Sequence, residues 1–111
     1  MSYNIEVTHF FEKQLKRLAR KFPSLKNEFL NLIDSLQENP EQGKSLGNNC
    51  YKIRISIASK GKGKSGGARI ITHLQIIKNK IFLLSIYDKS EQSDITDKEL
   101  AAWIKVLDQS E

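Results

Sequence analysis

The sequence contains few of the residues that form covalent cross-links or metal sites. Of its 111 residues, one is cysteine and two are histidine. A single cysteine excludes an intrachain disulfide and a cysteine-rich zinc site. Cys50 starts an apolar strand pattern and is predicted to be buried. We expect His9 on the surface and His73 in a structural position, and we expect neither a metal nor another cofactor.

Long apolar runs are also missing. No stretch approaches the roughly 20 apolar residues of a membrane-spanning helix. The N-terminus "MSYNIEVTHFF" lacks the basic and apolar regions of a signal peptide. We therefore expect a cytoplasmic protein with no membrane partner. A length of 111 residues, with 39% hydrophobic and 28% charged residues, indicates one globular domain over residues 1–111.

Negative charge is absent from the middle of the chain. No Asp or Glu lies between Gln42 and Tyr87, whereas the same 46 residues contain nine Lys or Arg. The net charge of +5 favours an acidic partner such as nucleic acid, an anionic membrane surface or an acidic protein. Structural surfaces usually mix charges of both signs, so this asymmetry is the first indication of function.

The segment "SKGKGKSGGAR" (59–69) concentrates this charge in a loop between two predicted strands. It contains four basic residues, four glycines and no acid. A solvated hairpin loop is one interpretation, and a loop that binds a polyanion is the other. Its "GKS" is similar to the end of a phosphate-binding P-loop. However, Ala58 stands where that motif needs glycine, and a strand follows instead of a helix, so we do not expect a P-loop.

Apolar spacing predicts a short strand followed by a helical hairpin. Residues 2–7 alternate as in a strand, and Thr8 can cap a helix whose apolar residues recur three or four positions apart. Pro23 ends this helix. Ser24 can cap a second helix with the same spacing. Two helices joined by about two residues form an antiparallel hairpin.

The rest of the chain predicts three antiparallel strands and a last helix. "YKIRISI" (51–57) alternates, "RIITHLQII" (69–77) is a β-branched run, and "IFLLSIY" (81–87) is almost wholly apolar, as in a strand covered on both faces. Tight turns between them indicate a meander. "TDKE" (96–99) is a capping box before the final helix. The predicted order, β-α-α-β-β-β-α, is an α+β fold with helices packed on a sheet.

Antiparallel pairing predicts that basic residues of these strands meet. Arg54 lies in the first long strand, Arg69 opens the second, and Tyr87 lies near the end of the third. Lys89 follows Tyr87 by two positions, so in extended chain both side chains point the same way. Lys52 shares the face of Arg54. Solvated strand cations are the alternative reading, but a concave cationic patch with a tyrosine would bind a bent phosphodiester backbone and stack one base.

Such a patch can cleave RNA without a metal because RNA carries its own nucleophile, the 2′-hydroxyl. Cleavage needs in-line geometry, a base, neutralisation of the phosphorane-like charge, and a proton for the 5′-oxygen. Arginines can neutralise this charge bidentately. A lysine crowded by other cations has a lowered pKa and can serve as a general base or acid.

Three segments resemble the RelE/ParE superfamily of bacterial toxins: "CYKIRI", "GGARII" and "LLSIYDKSEQSDIT". The glycine- and lysine-rich loop is most similar to the HigB-type branch of RelE-like toxins, and the resemblance covers nearly the whole chain. It implies a ribosome-dependent, metal-independent mRNA endoribonuclease that cuts in the ribosomal A site and arrests translation. It also implies a cognate antitoxin protein as partner, besides the ribosome with its rRNA and mRNA.

The resemblance also implies roles for individual residues. The positions that match the family's catalytic positions are Arg54, Arg69, Tyr87 and Lys89. Those expected to bind RNA phosphates are Lys52, Lys60, Lys62 and Lys64.

The chain departs from the family pattern in two places. Some RelE members carry a catalytic tyrosine near the last helix, whereas this chain has none after Tyr87. Arg54 replaces a lysine, and arginine stays protonated. The general base is therefore open among Lys52, Lys60 and Lys62. Two alternatives also remain open: a ParE-like toxin that inhibits DNA gyrase by binding without nuclease activity, and a nucleic-acid-binding member without activity.

Overall fold

The computed structural model describes residues 3–60, 66–92 and 94–109. In this part of the chain, helices and strands follow the order β-α-α-β-β-β-β-α, with a short 3₁₀ helix at Ala58–Lys60. Their bounds are β1 Asn4–Val7, α1 His9–Lys21, α2 Leu25–Glu38, β2 Lys44–Gly47, β3 Cys50–Ile55, β4 Ala68–Gln75, β5 Lys80–Asp88 and α3 Asp97–Gln109. The predicted α+β fold is confirmed, with β2 as an additional strand.

The strands form one mixed sheet in the order β1-β5-β4-β3-β2. Strands β2 to β5 pair antiparallel with their sequence neighbours, which confirms the predicted meander. The first strand, β1, pairs parallel with β5 at the other edge. The ends of β3, β4 and β5 therefore lie next to one another, where the basic residues are expected to meet.

Helices cover the two faces of the sheet separately. The α1–α2 hairpin packs on one face through buried residues that include Phe11, Leu18, Leu25 and Leu36, against Ile53, Ile55, Ile70 and Ile86 of the sheet. Helix α3 packs on the other face through Leu100 and Leu107, against Cys50, Ile71 and Leu84. Each fully buried side chain of this size contributes about 1.5–3 kcal/mol. Strand β5 is thus covered on both faces, as its composition predicts.

An irregularity in β5 changes which of its residues face each helical layer. Ile71 pairs with Ser85, but the next residue of β4, Thr72, pairs with Leu83, so β5 has one extra residue in this register. Such a bulge shifts the alternation of side chains along the strand. Ile86 therefore belongs to the α1–α2 layer, and Tyr87 to the α3 layer.

Two predicted helix caps are confirmed. The Phe11 N–H donates to Thr8 Oγ1 at 3.2 Å, and the Thr8 hydroxyl donates to the Leu83 carbonyl at 2.9 Å, which links the start of α1 to β5. The Glu99 N–H donates to Thr96 Oγ1 at 3.1 Å, and the Thr96 N–H donates to Glu99 Oε1 at 3.0 Å. These reciprocal bonds satisfy backbone groups that the first turn of α3 leaves unpaired.

Two predicted details differ in the structure. Ser24 is the N-cap residue of α2, as predicted, but its hydroxyl makes no capping bond; it accepts from the Ser59 N–H at 2.9 Å and donates to Glu28 at 3.2 Å. Strand β4 ends at Gln75, two residues before the predicted end, and Ile76 and Ile77 are exposed in the turn that follows. No helix of the described chain is long and apolar enough to cross a membrane.

Candidate functional site

Three predicted site residues lie side by side across the sheet. Arg54 of β3 pairs with Arg69 of β4, and Arg69 pairs with Tyr87 of β5. Directly opposed residues of antiparallel strands project from the same face. Neighbouring strands lie about 4.8 Å apart, so the side chains form one continuous set. We refer to Arg54, Arg69 and Tyr87 as the cross-strand row.

The cross-strand row is open at one end and covered at the other. Arg54 is exposed, and in the described part of the chain no hydrogen bond or ion pair engages its guanidinium. In contrast, Arg69 is only 3% exposed and Tyr87 only 4%. The Arg69 Nη1 donates to the carbonyl of Ala68 at 3.1 Å. An anion from solvent therefore meets Arg54 first.

An acidic residue lies against the covered end of the row. Asp94 Oδ1 accepts a hydrogen bond from Lys52 Nζ at 3.2 Å and lies 3.5 Å from the Tyr87 hydroxyl. The same oxygen accepts from the Ile95 N–H at 2.9 Å. Lys52, predicted to bind RNA, is therefore paired with a carboxylate, and its side chain is only 14% exposed.

The surroundings of Tyr87 and Asp94 favour opposite protonation states. Burial, reinforced by the negative charge of Asp94 and opposed by Arg69, raises the pKa of Tyr87 to about 12. The bond from the Ile95 N–H, followed by the bond and charge of Lys52 and the charge of Lys89, lowers the pKa of Asp94. At neutral pH the phenol therefore keeps its proton, and Asp94 is ionised.

A cleft of about 340 Å³ opens beside the exposed end of the row, between β2 and β3. Lys44 of β2 pairs with Lys52 of β3, so the cleft continues the line of cations towards the sheet edge. Gly43 permits this close approach, because a Cβ there would collide with the backbone oxygen of Lys52 and its φ is +95°. The residues lining the cleft are Gln42, Gly43, Lys44, Lys52, Ile53 and Arg54.

A family model described as the RelE toxin of the RelE/RelB toxin–antitoxin system matches residues 7–109. The chain belongs to the RelE toxin family. The predicted membership of the RelE/ParE superfamily is thereby confirmed, and the HigB-type branch stays a prediction.

Solved structures of RelE proteins share the fold. The free E. coli toxin RelE, in a mutant form, matches with a TM-score of 0.62 at 18% identity, over 84% of this chain and 90% of that chain. The intact E. coli RelBE toxin–antitoxin complex gives 0.59 at 19%, over 78% and 96%. The RelBE2 toxin–antitoxin complex from Mycobacterium tuberculosis gives 0.52 at 12%, over 79% and 92%. At these identities the likeness shows the fold alone.

In this RelE-family chain, Lys89 lies close to the row, whereas the loop lysines cannot be placed. The Lys89 N–H donates to the Gly67 carbonyl at 3.0 Å, which holds Lys89 beside the start of β4, and its charge acts on Asp94. Lys62 and Lys64 lie outside the described residues, as does the side chain of Lys60. Phosphate binding by these three lysines stays a prediction.

Asp94 is the site residue that the sequence pattern misses. Its partner Lys52 lies 42 positions earlier, and the polar residues 89–94 show no periodic pattern that would assign them to a helix or strand. The available signal was indirect. The connection leads to Thr96, where a helix with an apolar face begins, and that helix packs on the face of the sheet that carries Tyr87. A polar residue just before this helix is thus brought back to the row.

Cys50 and His73 form a buried pair at the other end of β3 and β4. Cys50 Sγ lies 3.3 Å from His73 Nδ1, and burial raises the pKa of Cys50 to about 11. The thiol is therefore neutral, and the predicted buried position of Cys50 is confirmed. His9 is exposed, as predicted. Among the described residues, no three His, Cys, Asp or Glu side chains are grouped so that they could hold a metal ion.

The row is chemically suited to one phosphate group. Guanidinium groups bind phosphate oxygens through paired N–H donors and stay charged at all accessible pH values. A protonated phenol beside them can donate a proton to an oxygen that develops negative charge. Two arginines and one tyrosine therefore provide charge neutralisation and a proton within one short stretch of the sheet.

Proposed function

We propose that this RelE-family chain is a toxin that cleaves messenger RNA on the ribosome without a metal ion. The observation that carries this proposal is the cross-strand row, where Arg54, Arg69 and Tyr87 occupy opposed positions on three neighbouring strands. No Asp or Glu lies between Gln42 and Tyr87, the part of the chain that contains all three residues of the row. Binding of a polyanion explains why Lys52, Arg54 and Arg69 project from the same face of the sheet.

The row supplies two requirements of the reaction. The 2′-hydroxyl gives its proton to a general base, for which Lys52, Lys60 and Lys62 remain the candidates. Its oxygen then forms a bond to phosphorus while the bond from phosphorus to the 5′-oxygen breaks. Arg54 and Arg69 neutralise the extra negative charge that develops on the phosphoryl oxygens. Tyr87, whose raised pKa keeps it protonated, donates a proton to the departing 5′-oxygen. Lys89, whose charge reaches the same site, stabilises that oxygen as its charge develops.

The ribosome supplies the RNA conformation that the reaction requires, which the free chain does not impose. Attack by the 2′-oxygen requires it to lie in line with phosphorus and the 5′-oxygen, a geometry that an unconstrained strand seldom adopts. Because Arg69 and Tyr87 are almost completely buried, a loose RNA strand meets mainly Arg54 and Lys44 of the adjoining cleft. We therefore assign the bending of the RNA to the ribosomal A site, and the protein acts in the cytoplasm, where translation takes place.

A cognate antitoxin protein is the second partner. Support comes from the family description, which names the RelE/RelB toxin–antitoxin system, and from structural relatives that were solved as toxin–antitoxin complexes. We propose that such an antitoxin binds this chain and neutralises it.

Mapping of cut sites on translated mRNA tests this function. The purified protein is incubated with an mRNA bound to programmed ribosomes and, separately, with the same mRNA alone, and new 5′ ends are mapped by primer extension. We expect cuts in the A-site codon only in the sample with ribosomes. Equal cleavage of the free RNA would contradict ribosome dependence. Intact mRNA on ribosomes, together with inhibition of DNA supercoiling by gyrase, would support the ParE-like alternative.

A further inference from the structure

The cationic site contains its own counter-ion on the side that faces solvent. The Asp94 side chain is 57% exposed, whereas the side chain of its partner Lys52 is 14% exposed. The carboxylate oxygen that binds Lys52 also lies 3.5 Å from the Tyr87 hydroxyl. A phosphate that approaches from solvent therefore meets the Asp94 carboxylate before it meets either of these groups.

The protein holds Asp94 in this position through contacts that do not involve the row. The Ile95 N–H donates to Asp94 Oδ1, and Gln92 Nε2 donates to the Asp94 carbonyl, both at 2.9 Å. In the same segment, the Arg17 guanidinium of α1 binds both carboxylate oxygens of Glu91 at 3.1 and 3.2 Å. The segment is thus tied to α1 and the carboxylate is oriented by the backbone, which distinguishes Asp94 from a freely rotating surface acid.

We propose that Asp94 competes with RNA for the site: its carboxylate occupies the place beside Lys52 and Tyr87 that a phosphate oxygen takes in the complex. This inference rests on the proposed function, because it assumes that phosphate binds along the cross-strand row. Carboxylate and phosphate oxygens accept hydrogen bonds from the same donors, and two anions cannot share them without strong repulsion. RNA therefore binds fully only when it displaces Asp94 from Lys52.

This competition restricts the RNA that the site accepts. A loose strand offers few contacts with which to replace the bonds of Asp94, and its phosphates are repelled by the carboxylate. An RNA that the ribosome already holds in place loses less entropy on binding, so it displaces Asp94 more readily. Asp94 thereby weakens the binding of free RNA relative to the binding of RNA that the ribosome holds.

The substitution Asp94→Asn tests the proposal because it removes the charge but keeps an oxygen that can accept from the Ile95 N–H. Binding is measured by fluorescence anisotropy with a 2′-O-methyl RNA oligonucleotide, which cannot be cleaved because its nucleophile is blocked. Loss of one negative charge at contact distance predicts about fivefold tighter binding. The matched control is Asp34→Asn on the exposed surface of α2, which changes the net charge equally and leaves the affinity almost unchanged.

A second background tests whether the effect acts through Lys52. In Lys52→Gln, the ammonium that pairs with Asp94 is absent. Asp94→Asn therefore frees no cation for the RNA in this background. We expect the gain from Asp94→Asn to shrink in this background. If Asp94→Asn increased the RNA affinity equally in both backgrounds, Asp94 would act only by repelling RNA phosphates. Its competition for Lys52 would then be contradicted.

The outcomes separate this inference from the proposed function. If Asp94→Asn binds no more tightly than the wild type while Arg54→Gln loses binding, the competition is wrong and the phosphate site stands. If neither the wild type nor Asp94→Asn binds the oligonucleotide, the competition is also wrong, because removal of the carboxylate did not release a site. The proposed function fails separately, if ribosome-bound mRNA stays intact.

Discussion

Arg54 and Arg69 carry the same side chain in opposite surroundings. Arg69 is 3% exposed and donates to the Ala68 carbonyl, so its truncation leaves a buried acceptor without this donor, at a cost of about 1–3 kcal/mol. Arg54 is exposed, and a surface substitution there costs about 0.5 kcal/mol or less. Loss of activity in an Arg69 variant could therefore come from lower stability as well as from a slower cleavage step. In an Arg54 variant, it would come from the cleavage step alone.

The buried phenol of Tyr87 predicts a loss of stability at alkaline pH. Its pKa is about 12 in the folded chain, against about 10 in an unfolded one, so the unfolded chain releases this proton first. The stabilisation is complete below about pH 10 and decreases as the pH rises towards 12, by up to about 1.4 kcal/mol per pH unit. Urea unfolding at pH 10 and 11 should show the wild type losing about 1 kcal/mol more than Tyr87→Phe.

The comparison with Tyr87→Phe isolates this one group, since all other titrating residues are shared. If both proteins lost the same stability over this range, Tyr87 would ionise as it does in the unfolded chain. The burial described for its hydroxyl, and its role as a proton donor, would then be wrong.

The cross-strand row could be predicted from sequence, but its counter-ion could not. Alternation in β3 assigns Arg54 to the polar face, and antiparallel pairing brings Arg69 and Tyr87 next to it. The contact between Asp94 and Lys52 depends on where α3 packs on the sheet, which local periodicity does not determine. The 3% exposure of Arg69 is likewise not predicted by its place at the start of a strand, because burial depends on tertiary packing.

The helices and central strands follow local rules, and the misses lie at turns and edges. Thr8 and the Thr96–Glu99 capping box start their helices as predicted because each cap is a local bond. Strand β2 was not predicted, since "KSLG" has no apolar alternation and forms only by pairing with β3. Isoleucine favours strands, but β4 ends before Ile76. The chain must reverse direction between Gln75 and Lys80, and it does so in a turn in which Asn79 adopts a φ of 57°.

Gly43, which precedes β2, and Gly47, the last residue of β2, allow a paired test of the packing of this strand. Gly43 and Gly47 both have positive φ, 95° and 85°, so alanine at either position costs about 1–2 kcal/mol in backbone strain. At Gly43 the added Cβ would also collide with the Lys52 backbone, whereas at Gly47 no atom lies within 4 Å. Urea unfolding should show that Gly43→Ala loses about 2 kcal/mol or more beyond the loss in Gly47→Ala.

Equal losses in the two glycine variants would contradict the close approach of residue 43 to β3. The cleft that contains Lys44, Lys52 and Arg54 depends on this approach, so its shape would then differ from the one described.

At the scale of the whole molecule, the two faces of the sheet differ in composition. One face packs on α1 and α2 through apolar side chains, and α3 covers the part of the other face around Cys50, Ile71 and Leu84. The remaining part of that face carries Arg54 and Arg69, and Tyr87 of the cross-strand row packs in the α3 layer beside them. The strands that carry Arg54 and Arg69 contain no acid, so the negative charge near Lys52 comes from Asp94 in the segment before α3. Composition alone predicts the cationic middle of the chain, but not that a later segment folds back to neutralise part of it.

The central claim is that the cross-strand row neutralises the phosphate at which mRNA is cut. The most direct measurement is the single-turnover rate of mRNA cleavage on programmed ribosomes by the wild type, Arg54→Gln and Arg20→Gln. Arg20 is a matched control, because it is an exposed arginine of α1, on the opposite face of the sheet. We predict that Arg54→Gln lowers the rate by about 100-fold or more with unchanged thermal stability and ribosome binding, and that Arg20→Gln cleaves normally. Cleavage by Arg54→Gln at the wild-type rate would contradict the account.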